Sequence, residues 1–197
     1  MLVALPDAVV VAVLSIFLFL ALCAALVLVV VSLRRPRNVP LAMAAAIVVV
    51  ALVVVVMTPY DVPGILGMIL ALLGLALAVV GGDPVVRRVL EMATHGTVQQ
   101  GIAGGILVGV RGDGDDPGAV QEILRGGTTI GYLERLGVAL GLIAGFPEAI
   151  AVIVALKGIG RFSELSTPAA RERFIVGTLA SLLWACVIGA LVRLAIW

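Results

Sequence analysis

Four ionisable residues stand at spacings that would let them act together: Glu134, Arg135, Lys157 and Arg161. They flank an apolar stretch, 130–161, that would be about 48 Å long as one α-helix, too long for a single simple crossing of a bilayer. Gly145-Phe146-Pro147 interrupts it near the middle, and a proline there either kinks a helix or begins a new one in its first turn. Folding the chain back at that point brings Glu134 and Arg135 to the depth of Lys157 and Gly158. Lys157 and Arg161, at i and i+4, share a helix face, and a Glu134–Lys157 ion pair across the hairpin is the expected geometry. Charges inside a span are costly and are either paired or functional, so this set suits a substrate or proton pathway. A structural reading stands beside it. Lys157 and Arg161 complement a helix C-terminus, Glu148 suits the N-terminus that follows Pro147, and long basic side chains can snorkel to the interface.

The remaining candidates for chemistry are thinner. Gly101-Ile-Ala-Gly104-Gly105-Ile-Leu-Val-Gly109 resembles a phosphate loop only in its glycines, because the Gly-Lys-Ser/Thr ending is missing and no predicted strand precedes it. Asp113-Gly-Asp115-Asp116-Pro-Gly118 begins like a calcium loop, but Leu124 stands where a bidentate Glu is required. His95 is the single histidine and has no second ligand to join it. No Gly-x-Ser-x-Gly element is present. Cys23 and Cys186 lie in separate apolar runs and read as small buried hydrophobes. No metal, cofactor or disulfide is expected.

The composition names the elements that must position these residues. Apolar residues make up 62% of the 197 positions and charged residues 13%, with mean hydropathy +1.26. Soluble domains are about half apolar and about a quarter charged, so the expected fold is all-α, a polytopic transmembrane bundle. With 13 basic and 12 acidic residues, the basic excess of a nucleic-acid binder is absent. A crossing helix needs about 20 apolar residues, and the stretches 8–33, 39–57, 62–80 and 174–196 qualify. Arg34-Arg35-Pro36-Arg37 separates the first two, and Thr58-Pro59-Tyr60-Asp61-Val62-Pro63 the next two.

Orientation then counts the spans. If 130–161 forms a broken hairpin of two short helices, there are about six spans, and every basic residue except Arg193 faces the cytoplasm, as the positive-inside rule demands. Both termini then lie outside a multi-pass plasma-membrane protein. The hairpin can cross fully or be re-entrant; orientation does not distinguish the two. Three units follow: three N-terminal helices over 1–80, a cytoplasmic Gly/Asp-containing segment over 81–128, and the hairpin with the last helix over 129–197. Within the middle unit, Val85 to Ala93 reads as a short amphipathic helix and 97–110 as an interfacial stretch.

Small residues predict the packing. Gly137, Gly141 and Gly145 recur every fourth position, as do Gly177, Ser181, Ala185 and Gly189; such stripes let helix backbones approach closely in lipid. The Val-rich first two spans, for example Val53 to Val56, read as lipid-facing, and Trp184 as packed inside.

Four blocks of the C-terminal third carry a resemblance. They are Arg125-Gly-Gly-Thr-Thr-Ile-Gly-Tyr-Leu-Glu134-Arg135, Gly145-Phe-Pro-Glu148-Ala-Ile-Ala, Ala155-Leu-Lys157-Gly-Ile-Gly-Arg161-Phe162 and Glu172-Arg173-Phe-Ile-Val-Gly177-Thr-Leu-Ala-Ser181. Over about 125–190 the chain resembles a bacterial family of uncharacterised integral membrane proteins. The resemblance implies a bacterial inner-membrane module and transfers no functional residue. The function expected is a non-catalytic accessory or scaffold protein, bound to the lipid bilayer and to a membrane-protein partner or to copies of itself. The alternatives are a small transporter or channel built on Glu134 and Lys157, and an enzyme acting on lipids through arginine–phosphate contacts.

Overall fold

A computed structural model describes residues 7–34, 38–94, 106–109, 120–123, 127–161 and 168–197. The architecture is an all-α bundle of six helices: α1 (Asp7–Arg34), α2 (Asn38–Met57), α3 (Gly64–Thr94), α4 (Gly127–Ile143), α5 (Ala149–Arg161) and α6 (Pro168–Ile196). Four helical stretches, Asp7–Arg34, Asn38–Met57, Gly64–Ala93 and Arg171–Ile196, are long and apolar enough to cross a membrane. At 1.5 Å per residue α4 is about 26 Å long and α5 about 20 Å, so α5 is too short to cross about 30 Å of hydrocarbon unaided.

Helix ends follow local chemistry. Asp7 opens α1 and Arg34 closes it, each sign matching the helix dipole. Pro40 falls in the first turn of α2 and Pro168 starts α6, where a missing N–H costs nothing. The turn 58–63 is held on both sides. The Tyr60 hydroxyl donates to Asp7 Oδ1 at 2.8 Å, and Val62 N–H donates to the Ala195 carbonyl at 2.8 Å, satisfying one of the four orphan acceptors at the end of α6. This closed end of the bundle is termed the turn end below.

One expectation needs correcting. The third helix does not stop at residue 80: α3 runs unbroken to Thr94 with Pro84 inside it, absorbing the segment read as a separate amphipathic helix. Side chains of other helices bond to two carbonyls of the stretch before Pro84, described below. Within the stretch read as interfacial, the described residues form a strand, β1 (Ile106–Gly109), which pairs antiparallel with β2 (Val120–Ile123) as a two-stranded ribbon. Ile106, Val108, Val120 and Ile123 are the β-branched residues that favour it.

The first two helices are only partly lipid-facing. Leu14, Leu18, Ala21, Ala25 and Val29 form a buried stripe on α1, and Leu41, Ala44, Val48, Ala51 and Val55 form one on α2. Both helices are apolar nearly all round, so polarity does not mark their inward faces, which mix Ala with Val and Leu. In the Val53–Val56 run, Val53 and Val56 are exposed while Val55 is buried.

The largest interface joins α3 to α6. Gly67, Gly74 and Gly81 recur every seventh residue on α3, the spacing that keeps one face toward a supercoiled partner. A Cβ at Gly67 would meet Ile196 at 3.3 Å, at Gly74 would meet Val192 at 2.5 Å, and at Gly81 would meet the Trp184 ring at 2.7 Å. The α4–α6 contact is also close: a Cβ on Gly189 would lie 3.0 Å from Leu142.

Candidate functional site

The site is built where α3, α4, α5 and α6 meet, away from the turn end. Val79 lies about 22 Å and Asp83 about 28 Å along α3 from its start at Gly64. Helix α4 presents Glu134 and Arg135 side by side, and consecutive helical positions point in different directions. Arg135 therefore turns inward to α3 and α6, while Glu134 turns to α5.

Arg135 is 2% exposed, and its guanidinium bridges three helices. Its Nε donates to the Val79 carbonyl at 2.9 Å, Nη1 to Ser181 Oγ at 3.2 Å, and Nη2 to Asp83 Oδ1 at 2.8 Å. The Tyr132 ring lies 5.1 Å from the guanidinium carbon, within cation–π range. The fork of an arginine suits this task because its donors are fixed in a plane and aim at several acceptors at once. Gly82 is the space that admits it: a Cβ there would overlap Cδ, Nε and Cζ of Arg135.

Glu134 forms the second pair. Lys157 Nζ lies 2.5 Å from Glu134 Oε2, with side chains 15% and 8% exposed, and the ammonium also lies 5.7 Å from the Phe174 ring of α6. The pair ties α5 to α4 at the far end from their connecting turn. The side chain of Arg161 falls outside the described residues, as do His95, Gly101 to Gly105, Asp113 to Gly118 and Arg125.

The turn that makes this geometry possible is a Schellman ending. Gly145 takes φ +78°; its N–H donates to the Leu142 carbonyl at 3.0 Å, and Phe146 N–H to the Gly141 carbonyl at 2.7 Å, the bond pair of that motif. Pro147 follows and cannot extend the helix. Arg193 of α6 donates Nη1 to the Ile143 carbonyl at 3.2 Å, a cation at a helix C-terminus, and its guanidinium occupies the space a side chain on Gly145 would need. The hairpin thus reaches the last two turns of α6, between Gly189 and Arg193.

The small residues divide among partners. Gly137 faces Ile153 of α5, Gly141 faces Ala149 and the turn, Gly177 makes ordinary contact with Val86 and Leu90 of α3, and Gly189 faces α4. Ala185 is fully buried, and Ser181 is buried with its hydroxyl on Arg135.

Sequence reasoning missed Asp83, Gly82 and the Gly67–Gly74–Gly81 repeat. The signals were present: a glycine every seventh residue in an apolar run, and a lone Asp beside Gly-Gly and Pro at the end of one. Ending the third helix at residue 80 left Gly81, Gly82 and Asp83 outside it.

Chemically, the arrangement consumes its charges. Val138 and Ala139, which follow the pair on α4, and Ala185, one turn after Ser181 on α6, have no exposed surface, and among the described residues no buried side-chain nitrogen or oxygen lacks a partner. An open apolar groove of about 340 Å³ is lined by Val10, Val13, Leu14 and Phe17 of α1, Val54 of α2 and Thr58 of the turn that follows α2; neither Glu134 nor Lys157 belongs to its lining. No group of three or more His, Cys, Asp or Glu able to hold a metal is found among the described residues. No protein-family model matches the chain, and no curated protein or solved structure matches it either.

Proposed function

We propose that this chain is a multi-pass protein of the bacterial plasma membrane whose role is structural, an accessory or scaffold subunit that holds a membrane assembly together. One observation carries the reading: Glu134 and Arg135 are buried and each is committed to a partner on another helix, Glu134 to Lys157 and Arg135 to Val79, Asp83 and Ser181. A conduction path requires polar groups lining a water-filled route, whereas here Glu134 and Arg135 are buried, as are the apolar Val138, Ala139 and Ala185 near them in the chain fold. The four C-terminal blocks that resemble a family of uncharacterised integral membrane proteins coincide with this sealed unit of α4, α5 and α6.

In the proposed orientation the turn end lies outside and the ends of α1, α3 and α5 that carry Arg34, Arg87, Arg88 and Lys157 lie inside. The hairpin enters from the cytoplasmic side and returns to it. Lipid covers the exposed residues of α1 and α2.

The test is reconstitution beside purification. The scaffold reading expects a stoichiometric membrane-protein partner in mild detergent and no ion flux through liposomes containing the chain alone. Flux that Glu134→Gln and Lys157→Met abolish without loss of folded protein would overturn it in favour of a transporter or channel. A stable homo-oligomer with no partner would also count against it.

A further inference from the structure

Pro84 sits inside a continuous helix, and a proline there removes one hydrogen bond and pushes on the carbonyl four residues back, here Val80. The helix is therefore locally weakened at Val80–Pro84, while the carbonyls just before it keep their helical donors and gain side-chain ones. Two side chains from other helices reach this stretch of α3. Trp184 Nε1 of α6 donates to the Leu77 carbonyl at 3.2 Å, and Arg135 Nε of α4 donates to the Val79 carbonyl at 2.9 Å. Gly81 and Gly82, immediately before Asp83 and Pro84, are the positions whose missing Cβ atoms admit the indole and the guanidinium.

The two parts of α3 are held differently. From Gly74 to Gly82 the helix is locked by approaches that leave no room for a Cβ at Gly74, Gly81 or Gly82. Beyond Pro84 the contact with α6 is ordinary, with Val86 and Leu90 at 3.6 and 3.7 Å from a Cβ built on Gly177, and Arg87, Glu91, Met92 and Ala93 are exposed.

We infer that Gly81–Pro84 is a hinge in α3, latched by Arg135 and Trp184, and that releasing the latch lets the arm 85–94 swing relative to the bundle. The latch has the parts a two-position device needs: a weakened helix, two flexible glycines, and side-chain donors that hold one geometry. The arm carries Arg87 and Arg88, so the motion would move charge at that end of the bundle. Arg135 reads the state of α3 because the same guanidinium holds the Val79 carbonyl before the proline and the Asp83 carboxylate beside it.

Pulsed spin-label distance measurements on the full chain in lipid nanodiscs test this, in a Cys23→Ala, Cys186→Ala background. One label pair, Leu33→Cys with Met92→Cys, reports on the arm; a second, Val13→Cys with Met68→Cys, reports on the turn end. The arm is about 15 Å long, so a bend of about 20° moves its tip by about 5 Å. Arg135→Lys keeps the charge but loses the fork, and is expected to shift or broaden the arm distances on that scale while leaving the turn-end pair unchanged. Trp184→Phe removes the indole N–H and the part of the ring system that packs on Gly81, and should do the same to a smaller extent because the guanidinium contacts remain. Pro84→Ala added to Arg135→Lys should restore one narrow distribution. The inference is overturned by unchanged arm distances in both latch variants, by equal broadening of both label pairs, or by failure of Pro84→Ala to restore order. Should Arg135→Lys not fold, unchanged arm distances in Trp184→Phe alone overturn it.

Discussion

Replacing Arg135 by Met keeps much of the side-chain volume and removes every polar contact. Three hydrogen bonds between helices are lost, and such bonds average about 0.6 kcal/mol each inside membrane proteins, giving about 2 kcal/mol. Asp83 is then left without its partner. Leaving a buried acceptor unmatched costs about 1–3 kcal/mol, and at 19% side-chain exposure Asp83 falls toward the middle of that range. The sum, about 3–5 kcal/mol, agrees with the usual cost of breaking one side of a buried ion pair. Asp83→Asn should cost less, about 1–2 kcal/mol, because Arg135 keeps the Val79 and Ser181 acceptors. The double variant no longer strands a carboxylate, so its cost should fall below the sum of the singles by about 1–2 kcal/mol. Reversible unfolding in mixed micelles, followed by tryptophan fluorescence, measures all three. A cost for Arg135→Met below about 1 kcal/mol, or strict additivity, would refute the reasoning that the guanidinium closes the core.

Other outcomes follow from the same contacts. Gly81→Ala places a methyl against the Trp184 ring and should destabilise by about 1–3 kcal/mol; Gly158→Ala, with open space around it, should be neutral or stabilising by up to about 1 kcal/mol, and the same unfolding assay compares them. Gly145→Ala should destabilise on two counts, the positive φ and the displaced Arg193, whereas a neutral result would deny that Arg193 caps α4. The Tyr60 hydroxyl titrates above its ordinary value of 10.0, first because it donates to Asp7 and then because that carboxylate repels the phenolate. A raised pKa in the folded chain means that this contact contributes fully below the unfolded value and is lost as pH rises through the folded one. Ultraviolet titration in a Tyr132→Phe background should therefore show Tyr60 ionising at lower pH once Asp7 becomes Asn.

The helices were legible because length and hydropathy alone define a crossing segment, and Gly145-Phe146-Pro147 marks its own turn through chain stereochemistry. Glu134 and Lys157 could be placed at one depth by counting residues from that turn. The Arg135–Asp83 contact could not be found in that way, since the two residues are 52 positions apart and no periodicity links them. Asp83 also lay beside a proline, and the rule that prolines end helices is weaker in a helix whose neighbours can satisfy the freed groups. Inward faces of α1 and α2 were hidden for a different reason: a helix that is apolar all round has no polar side to mark its orientation.

The account rests on the charged hairpin being sealed from water. Cysteines introduced singly at Val138, one turn beyond Glu134, and at Ala185, beside Ser181, test this in the background without native thiols, with a charged thiol reagent applied to both faces of the membrane. The account predicts no labelling at either position under conditions that label Met92→Cys fully. Rapid labelling of Val138→Cys or Ala185→Cys in folded protein would show a water path to the ion pairs and contradict it.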